Sequence, residues 1–234
     1  MVDFKEGQVL LIDKPLHWTS FDVVNKLRYT LKHALKVKKI KVGHAGTLDP
    51  LATGLLVICT GKFTKKIDGL QSDDKVYTGE ITLGSTTPSY DLESEVDGTY
   101  ETAHITNDLM EEARNSFLGT QLQMPPIYSA KKVDGKVAYL VARKGGEVNL
   151  KPAEVYIHSL ELDNSNFPKV KFAVHCSKGT YIRSLAHDLG KRLNSGAHLS
   201  ALRRTRSGEF DIANALQIDE AVTYIREHAT DISI

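Results

Sequence analysis

Val170-Lys171-Phe172-Ala173-Val174-His175-Cys176 places an apolar side chain at every second position, the period of a strand with one face buried. After Ser177 and Lys178, Gly179 starts a helix carrying Ile182, Leu185, Ala186 and Leu189, with Gly190 as its stop. Upstream, Val155 to Leu162 reads as another strand, and Val133-Asp134-Gly135-Lys136 carries the Asp-Gly signal of a hairpin. Thr106 can cap a helix through Leu118, with Ile105 and Met110 as a hydrophobic staple and Gly119 as the end. Val76 to Leu83 is a further strand. Near the start, Gln8 to Asp13 suits a buried strand stopped by Lys14-Pro15. Thr19 and Ser20 then cap a helix whose stripe is Phe21, Val24, Leu27 and Leu31. Runs of strands interrupted by few helices point to an α+β fold, with a mixed, largely antiparallel sheet flanked by helices.

Bulk composition narrows the function classes. The chain has 234 residues, 41% of them hydrophobic, enough for a buried core and too many for disorder. Lys plus Arg is 30 against 29 Asp plus Glu, a net charge of +1. A polyanion would therefore be held by a local patch, not by a global field. Cys59 and Cys176 lack any metal-ligand spacing and read as small core residues. No basic-then-apolar leader and no stretch of about 20 apolar residues is present, which predicts a cytoplasmic protein without membrane attachment.

The densest anomaly is Gly43-His44-Ala45-Gly46-Thr47-Leu48-Asp49-Pro50-Leu51-Ala52-Thr53-Gly54. Three glycines and a proline shape a loop that presents one imidazole and one carboxylate among leucines. A carboxylate with apolar neighbours must be solvated, paired or functional. Two readings stand at this point: a turn or helix start with Asp49 as cap and Pro50 behind it, or a reactive group on a shaped loop. Tyr77 at a strand start, Arg183 after a strand-to-helix turn, and the basic run Arg203-Arg204-Thr205-Arg206 each have an ordinary structural reading as well. Residues 84–100 form a polar loop longer than about 15 residues, a length usually tied to function or disorder.

His44 to Leu56, HAGTLDPLATGLL, resembles the catalytic motif of the TruB family of pseudouridine synthases. Four further motifs agree with that family in order: LIDKP at 11–15, KVYTGEITLG at 75–84, PPIYSAKKVDGKVAY at 125–139 and HCSKGTYIRSLAHDLG at 175–190, and a fifth, LRRTRSGEF, at 202–210. The resemblance implies the pseudouridine synthase fold and isomerisation of a uridine in the T-loop of transfer RNA, at position 55. It implies Asp49 as the catalytic residue, acting as nucleophile at C1′ or promoting formation of a glycal, Tyr77 stacked on the target base with a part in proton transfer, and Arg183 as partner of the aspartate. His44 resembles the histidine that helps extrude the nucleotide; Tyr181 and Leu202 resemble residues lining the uracil pocket; Lys14 and Pro15 support the catalytic loop. The expected chain is one catalytic domain over 1–234 with an RNA-gripping insertion around 84–146. Because only residues 211–234 follow the last motif, no separate C-terminal RNA-binding domain is expected.

The isomerisation has no net redox change and no hydrolysis, so neither cofactor nor metal is expected. The target base must leave its stack at a cost of roughly a few kcal/mol. Lys36, Lys38, Lys39, Lys41, Lys131, Lys132, Arg203, Arg204 and Arg206 are the candidate phosphate contacts, which makes binding salt-dependent. The expected partner is transfer RNA, with a monomeric enzyme and no obligate protein partner. A non-catalytic RNA-binding module would not need Asp49, Tyr77 and Arg183 together. A hydrolase built on Asp49 and His44 would want a second carboxylate or a metal cluster.

Overall fold

The computed structural model describes residues 2–128, 132–133, 136–137 and 150–229. In chain order the strands are β1 (Val9–Lys14), β2 (Val42–Ala45), β3 (Ala52–Thr60), β4 (Lys75–Leu83), β5 (Ser85–Thr86), β6 (Gly98–Thr99), β7 (Gly119–Gln123), β8 (Lys132–Val133), β9 (Lys136–Val137), β10 (Ala153–Asn166), β11 (Lys169–Cys176), β12 (Ala197–Ser207) and β13 (Phe210–Asp211). The helices are α1 (Ser20–Ala34), α2 (Ile67–Gln71), α3 (Asn107–Asn115), α4 (Ile182–Arg192) and α5 (Ile218–His228). This is the expected α+β pattern with a mixed, mostly antiparallel sheet flanked by helices. The chain separates into two compact units, Met1–Tyr77 with Leu202–Ile234, and Thr78–Ala201. Among the described residues, no helix is long and apolar enough to cross a membrane.

In the first unit β3 is buried along almost its whole length because both of its faces are covered. Leu56 and Ile58 share one core with Leu10 and Ile12 of β1, Val24, Leu27 and Leu31 of α1, and Ala221 and Ile225 of α5. Leu55 and Val57 point the other way, into a cluster with Ala45. β1 and β2 both pair antiparallel with β3, whereas β12 joins it in parallel, Leu202 opposite Ala52. The period of two also carries Lys14 onto the face of Leu10 and Ile12, and its side chain is fully buried there. Thr19 caps α1 in a capping box with Asp22. The inward stripe is Val23, Val24, Leu27 and Leu31; Phe21, expected in it, is 59% exposed. Its ring lies outside, under Arg28.

In the second unit β10 and β11 form a long antiparallel hairpin, and β7 pairs with the outer edge of β10. Val170, Phe172, Val174 and Cys176 are buried as the alternation requires. α3 packs on β10 through Met110 and Ala113, and Thr106 caps it by accepting from Leu109 N–H. The helix closes at Asn115, not Leu118, since the amides of Phe117 and Leu118 make i to i−3 bonds. Gly190 does not stop α4. A Cβ there would stand 2.4 Å from the Ala197 nitrogen, so the glycine lets β12 approach the helix, and Asn194, at φ 52°, takes the left-handed turn instead. β8 and β9 pair across Asp134-Gly135 as the hairpin signal predicts. Cys59 and Cys176 are both buried thiols, neither of them in a disulfide.

Candidate active site

Asp49 opens a turn in which Ala52 N–H donates to the Asp49 carbonyl at 3.0 Å, with Pro50 at the second position, where its fixed φ suits such a turn. No helix starts there. The turn is pinned from the side by the segment after β1. Leu48 N–H donates to Ser20 Oγ at 2.8 Å while that hydroxyl donates to the Leu48 carbonyl at 3.0 Å, and His17 N–H donates to the Pro50 carbonyl at 2.8 Å. The two residues that flank Asp49 are thus fixed by separate anchors, which leaves the carboxylate on a rigid support.

Lys14 places a cation beside this support. Its ammonium donates to the carbonyls of Trp18 at 2.6 Å and Pro15 at 3.0 Å. Burial pulls its pKa down to about 8, an effect that the nearby Asp49 charge and then Asp22 partly offset. In the unfolded chain the amine titrates near 10.5. Between about 8 and 10.5 the unfolded chain binds more protons than the folded one, so stability attributable to Lys14 rises with pH across that window. Denaturant unfolding of the native chain and Lys14→Met, run at about pH 7.5 and about pH 10, should show their difference shifting in favour of the native chain at the higher pH. An unchanged difference would mean that the amine keeps its ordinary hydration.

Arg204, expected to face RNA phosphates, is 1% exposed. It is an internal brace: Nε donates to the Leu55 carbonyl at 2.7 Å and Nη2 to the Gly46 carbonyl at 3.0 Å. Gly46 and Gly54 both have positive φ, 96° and 101°. At Gly54 a Cβ would sit 2.3 Å from the Arg204 carbonyl oxygen. The glycines of the motif therefore serve the close passage of β12 beside the loop. Arg203 is bound to Asp13 through two contacts of 2.7 and 3.0 Å and is half-exposed, while Arg206 is exposed and bends back to the Gly208 carbonyl. Lys36, Lys38, Lys39 and Lys41 lie ahead of β2, exposed; Lys131 and the Lys132 side chain lie outside the described residues.

His44 sits on β2 in the same unit, mostly buried, and its Nδ1 has no hydrogen-bond partner among the described residues. Burial and then the Arg204 guanidinium hold its pKa below the ordinary value, so the ring is neutral at pH 7. Leu202 lies beside Ala52 in the parallel register and its carbonyl accepts from Thr53 Oγ1. Tyr77 lies on β4, half-buried.

Arg183 and Tyr181 belong to the second unit, at the start of α4. Tyr181 is fixed through its backbone, N–H to Gln123 Oε1 at 2.7 Å and carbonyl from Gln123 Nε2 at 3.1 Å. Arg183 is 5% exposed. Its Nε lies 3.6 Å from the equally buried Asp91 carboxylate, Nη1 donates to the Ser89 carbonyl at 3.2 Å, and Nη2 to the Tyr128 carbonyl at 2.9 Å. Asp91 is the residue that the sequence does not single out. It comes from the polar loop at 84–100, whose ends are closed by the β5–β6 pair. The loop turns inward at its centre, where Thr87 and Ser89 hydroxyls both donate to the Asp91 carbonyl. One turn further along α4, His187 stacks on Tyr90 at 3.8 Å with planes 12° apart. Burial lowers the His187 pKa to about 4, followed by the Lys191 charge, so a neutral ring lies on Tyr90 at pH 7. Two adjacent residues of the loop are thus held by two residues one turn apart on the helix.

The chain matches two family models: TruB family pseudouridylate synthase (N terminal domain) over residues 32–182, and tRNA pseudouridylate synthase B C-terminal domain over residues 183–232. It is 57% identical over 218 residues to a protein named tRNA pseudouridine synthase B from Phocaeicola vulgatus, covering 93% of each chain. A protein of the same name from Parabacteroides distasonis is 53% identical over 231 residues, covering 99% of this chain and 98% of its own. Among solved structures, a chain of a Cbf5-Nop10-Gar1 complex superposes with a TM-score of 0.70 at 28% identity. That match covers 94% of this chain and 55% of the longer one. With identities above half over nearly its full length, and with the glycine-shaped Asp49 turn in place, the chain belongs to the TruB family of pseudouridine synthases.

Proposed function

We infer that the chain converts the uridine at position 55, in the T-loop of transfer RNA, to pseudouridine, with Asp49 as the nucleophile. The observation that carries this is the Asp49 turn itself, a carboxylate pinned on both sides by Ser20 and His17 with the Lys14 cation near it. The relatives named for tRNA pseudouridine synthesis support transfer RNA as the substrate. The Asp49 carboxylate adds to C1′ as the N1–C1′ bond breaks and its electron pair leaves with uracil. The uracil turns, C5 bonds to C1′ and releases the carboxylate. The C5 proton is then lost to a base, the role given to the Tyr77 phenol or its linked water, while N1 takes up a proton. Atoms and electrons balance without redox partner or water.

Arg183 is proposed to hold the carboxylate through its planar fork. His44, entering the RNA as a neutral ring, would help hold the extruded nucleotide out of its stack without adding charge, and Tyr181 and Leu202 line the uracil pocket. Lys36, Lys38, Lys39 and Lys41 face the RNA backbone. The enzyme works in the cytoplasm as a monomer.

Incubating the purified chain with unmodified transfer RNA and mapping pseudouridine by carbodiimide labelling tests the assignment. Modification at the T-loop uridine is expected; none there, with the RNA folded and bound, would defeat it. Turnover should also survive exhaustive chelation, because no step above uses a metal. Loss of activity that added metal restores would count against the proposed route.

A further inference from the structure

Three segments of the first unit meet around Gly61. Gly61 N–H donates to the Lys41 carbonyl at 2.9 Å, and Lys62 N–H to the Lys5 carbonyl at 3.2 Å. The glycine has φ 53°, and a Cβ would lie 2.1 Å from the Lys5 carbonyl oxygen. Backbone bonding therefore dictates what these segments display. They frame a surface depression of about 370 Å³ lined by Lys5, Lys39, Lys41, Lys62 and Lys65. Five lysines from three separate segments thus line one depression in a chain whose net charge is +1. Glu6 pairs with Lys62 at 2.7 Å, both side chains being well exposed, and the Asp3 carboxylate acts on Lys5 and Lys62, so a part of that charge is neutralised. A concave basic site of this kind is relieved by an anion.

We propose that this pocket binds a backbone phosphodiester of the RNA substrate. It extends the RNA-facing lysines ahead of β2 to Lys5, Lys62 and Lys65, which their distance in sequence conceals. The position favours RNA over a free anion. β2 runs directly from the pocket to His44, and at about 3.3 Å per residue Lys41 and His44 lie roughly 10 Å apart along the strand. Backbone flanking an extruded nucleotide spans such a distance. The proposal rests on the pseudouridine synthase reading for the identity of the RNA.

Lys5→Gln/Lys62→Gln/Lys65→Gln changes exposed side chains, and the exposed Lys62–Glu6 ion pair it removes contributes little to stability. With unmodified transfer RNA, the slope of log affinity against log salt should fall by about 0.7 to 0.9 for each phosphate that the variant no longer neutralises. The single-turnover rate at saturating RNA should stay unchanged. Glu6→Gln should act in the opposite direction, tightening binding, and it keeps the test alive should the triple variant be unstable. An unchanged slope in the triple variant together with unchanged affinity in Glu6→Gln would overturn the proposal. Inorganic phosphate at matched ionic strength separates the sources: saturable phosphate binding that disappears in the triple variant, with the RNA slope intact, would mean a free-anion pocket and also overturn it. Pseudouridine formation by the native chain is read in the same samples. Its absence would defeat the proposed reaction, while the slope would still decide the pocket.

Discussion

Asp49→Asn is expected to abolish pseudouridine formation while leaving transfer RNA affinity within about tenfold, ~1.4 kcal/mol. The amide keeps the size of the side chain, and the anchors described above hold the turn through other atoms. They use Ser20 Oγ on the Leu48 backbone, His17 N–H on the Pro50 carbonyl, and the Asp49 carbonyl itself. The turn should therefore persist while the charge and the nucleophile are gone. On the proposed function, RNA affinity is carried by phosphate contacts away from this turn. Loss of the anion also removes a favourable neighbour of the Lys14 ammonium, so the variant should lower the Lys14 pKa below about 8. The decisive measurement is single-turnover conversion at saturating RNA beside a filter-binding isotherm. Near-normal conversion would sink the assignment of Asp49 as nucleophile.

Local chemistry made parts of this molecule readable from sequence. The β11 alternation, the Thr19 and Thr106 caps and the Asp-Gly hairpin are decided within a few residues, and each forms as its residues predict. The Asp49 loop could be located from its glycines, but not explained. The reason for Gly54 is the Arg204 backbone, 150 positions away in sequence. The same distance concealed Arg204. A basic run at 203–206 suggests a solvated face, yet strand alternation in the folded unit drives one of its arginines into the interior, where two carbonyls absorb it. Gly190 misled in the opposite way: a glycine near a helix end signals a stop, and here its lack of a side chain admits a strand. Asp91 had no signal beyond the length of its loop. A polar segment with few apolar anchors is consistent with solvent exposure until Arg183 and its buried environment are known.

Arg183→Lys should lose about 10²-fold or more in turnover, ~2.7 kcal/mol, and Asp91→Asn should follow it in kind. Arg183 uses Nε, Nη1 and Nη2 in three directions, toward Asp91, Ser89 and Tyr128. One ammonium keeps the charge but cannot reproduce a planar fork fixed at three points. Asp91→Asn preserves size and leaves the oxygen that accepts from Glu93 N–H, but it removes the Asp91 charge from beside a buried guanidinium. Breaking such a pair from one side destabilises by roughly 3–5 kcal/mol, because the remaining charge stays desolvated. A fall in melting temperature alone would mark Asp91 as structural. Positioning predicts more: kcat should drop at temperatures where the variant is fully folded, while KM for transfer RNA changes little. The double variant should lose less than the sum of the two singles, since both act through one guanidinium. Asp91→Glu, which restores the charge with one extra methylene, should recover part of kcat. If folded Asp91→Asn turns over at the native rate, the pair holds the loop at 84–100 in place and has no part in aiming Arg183.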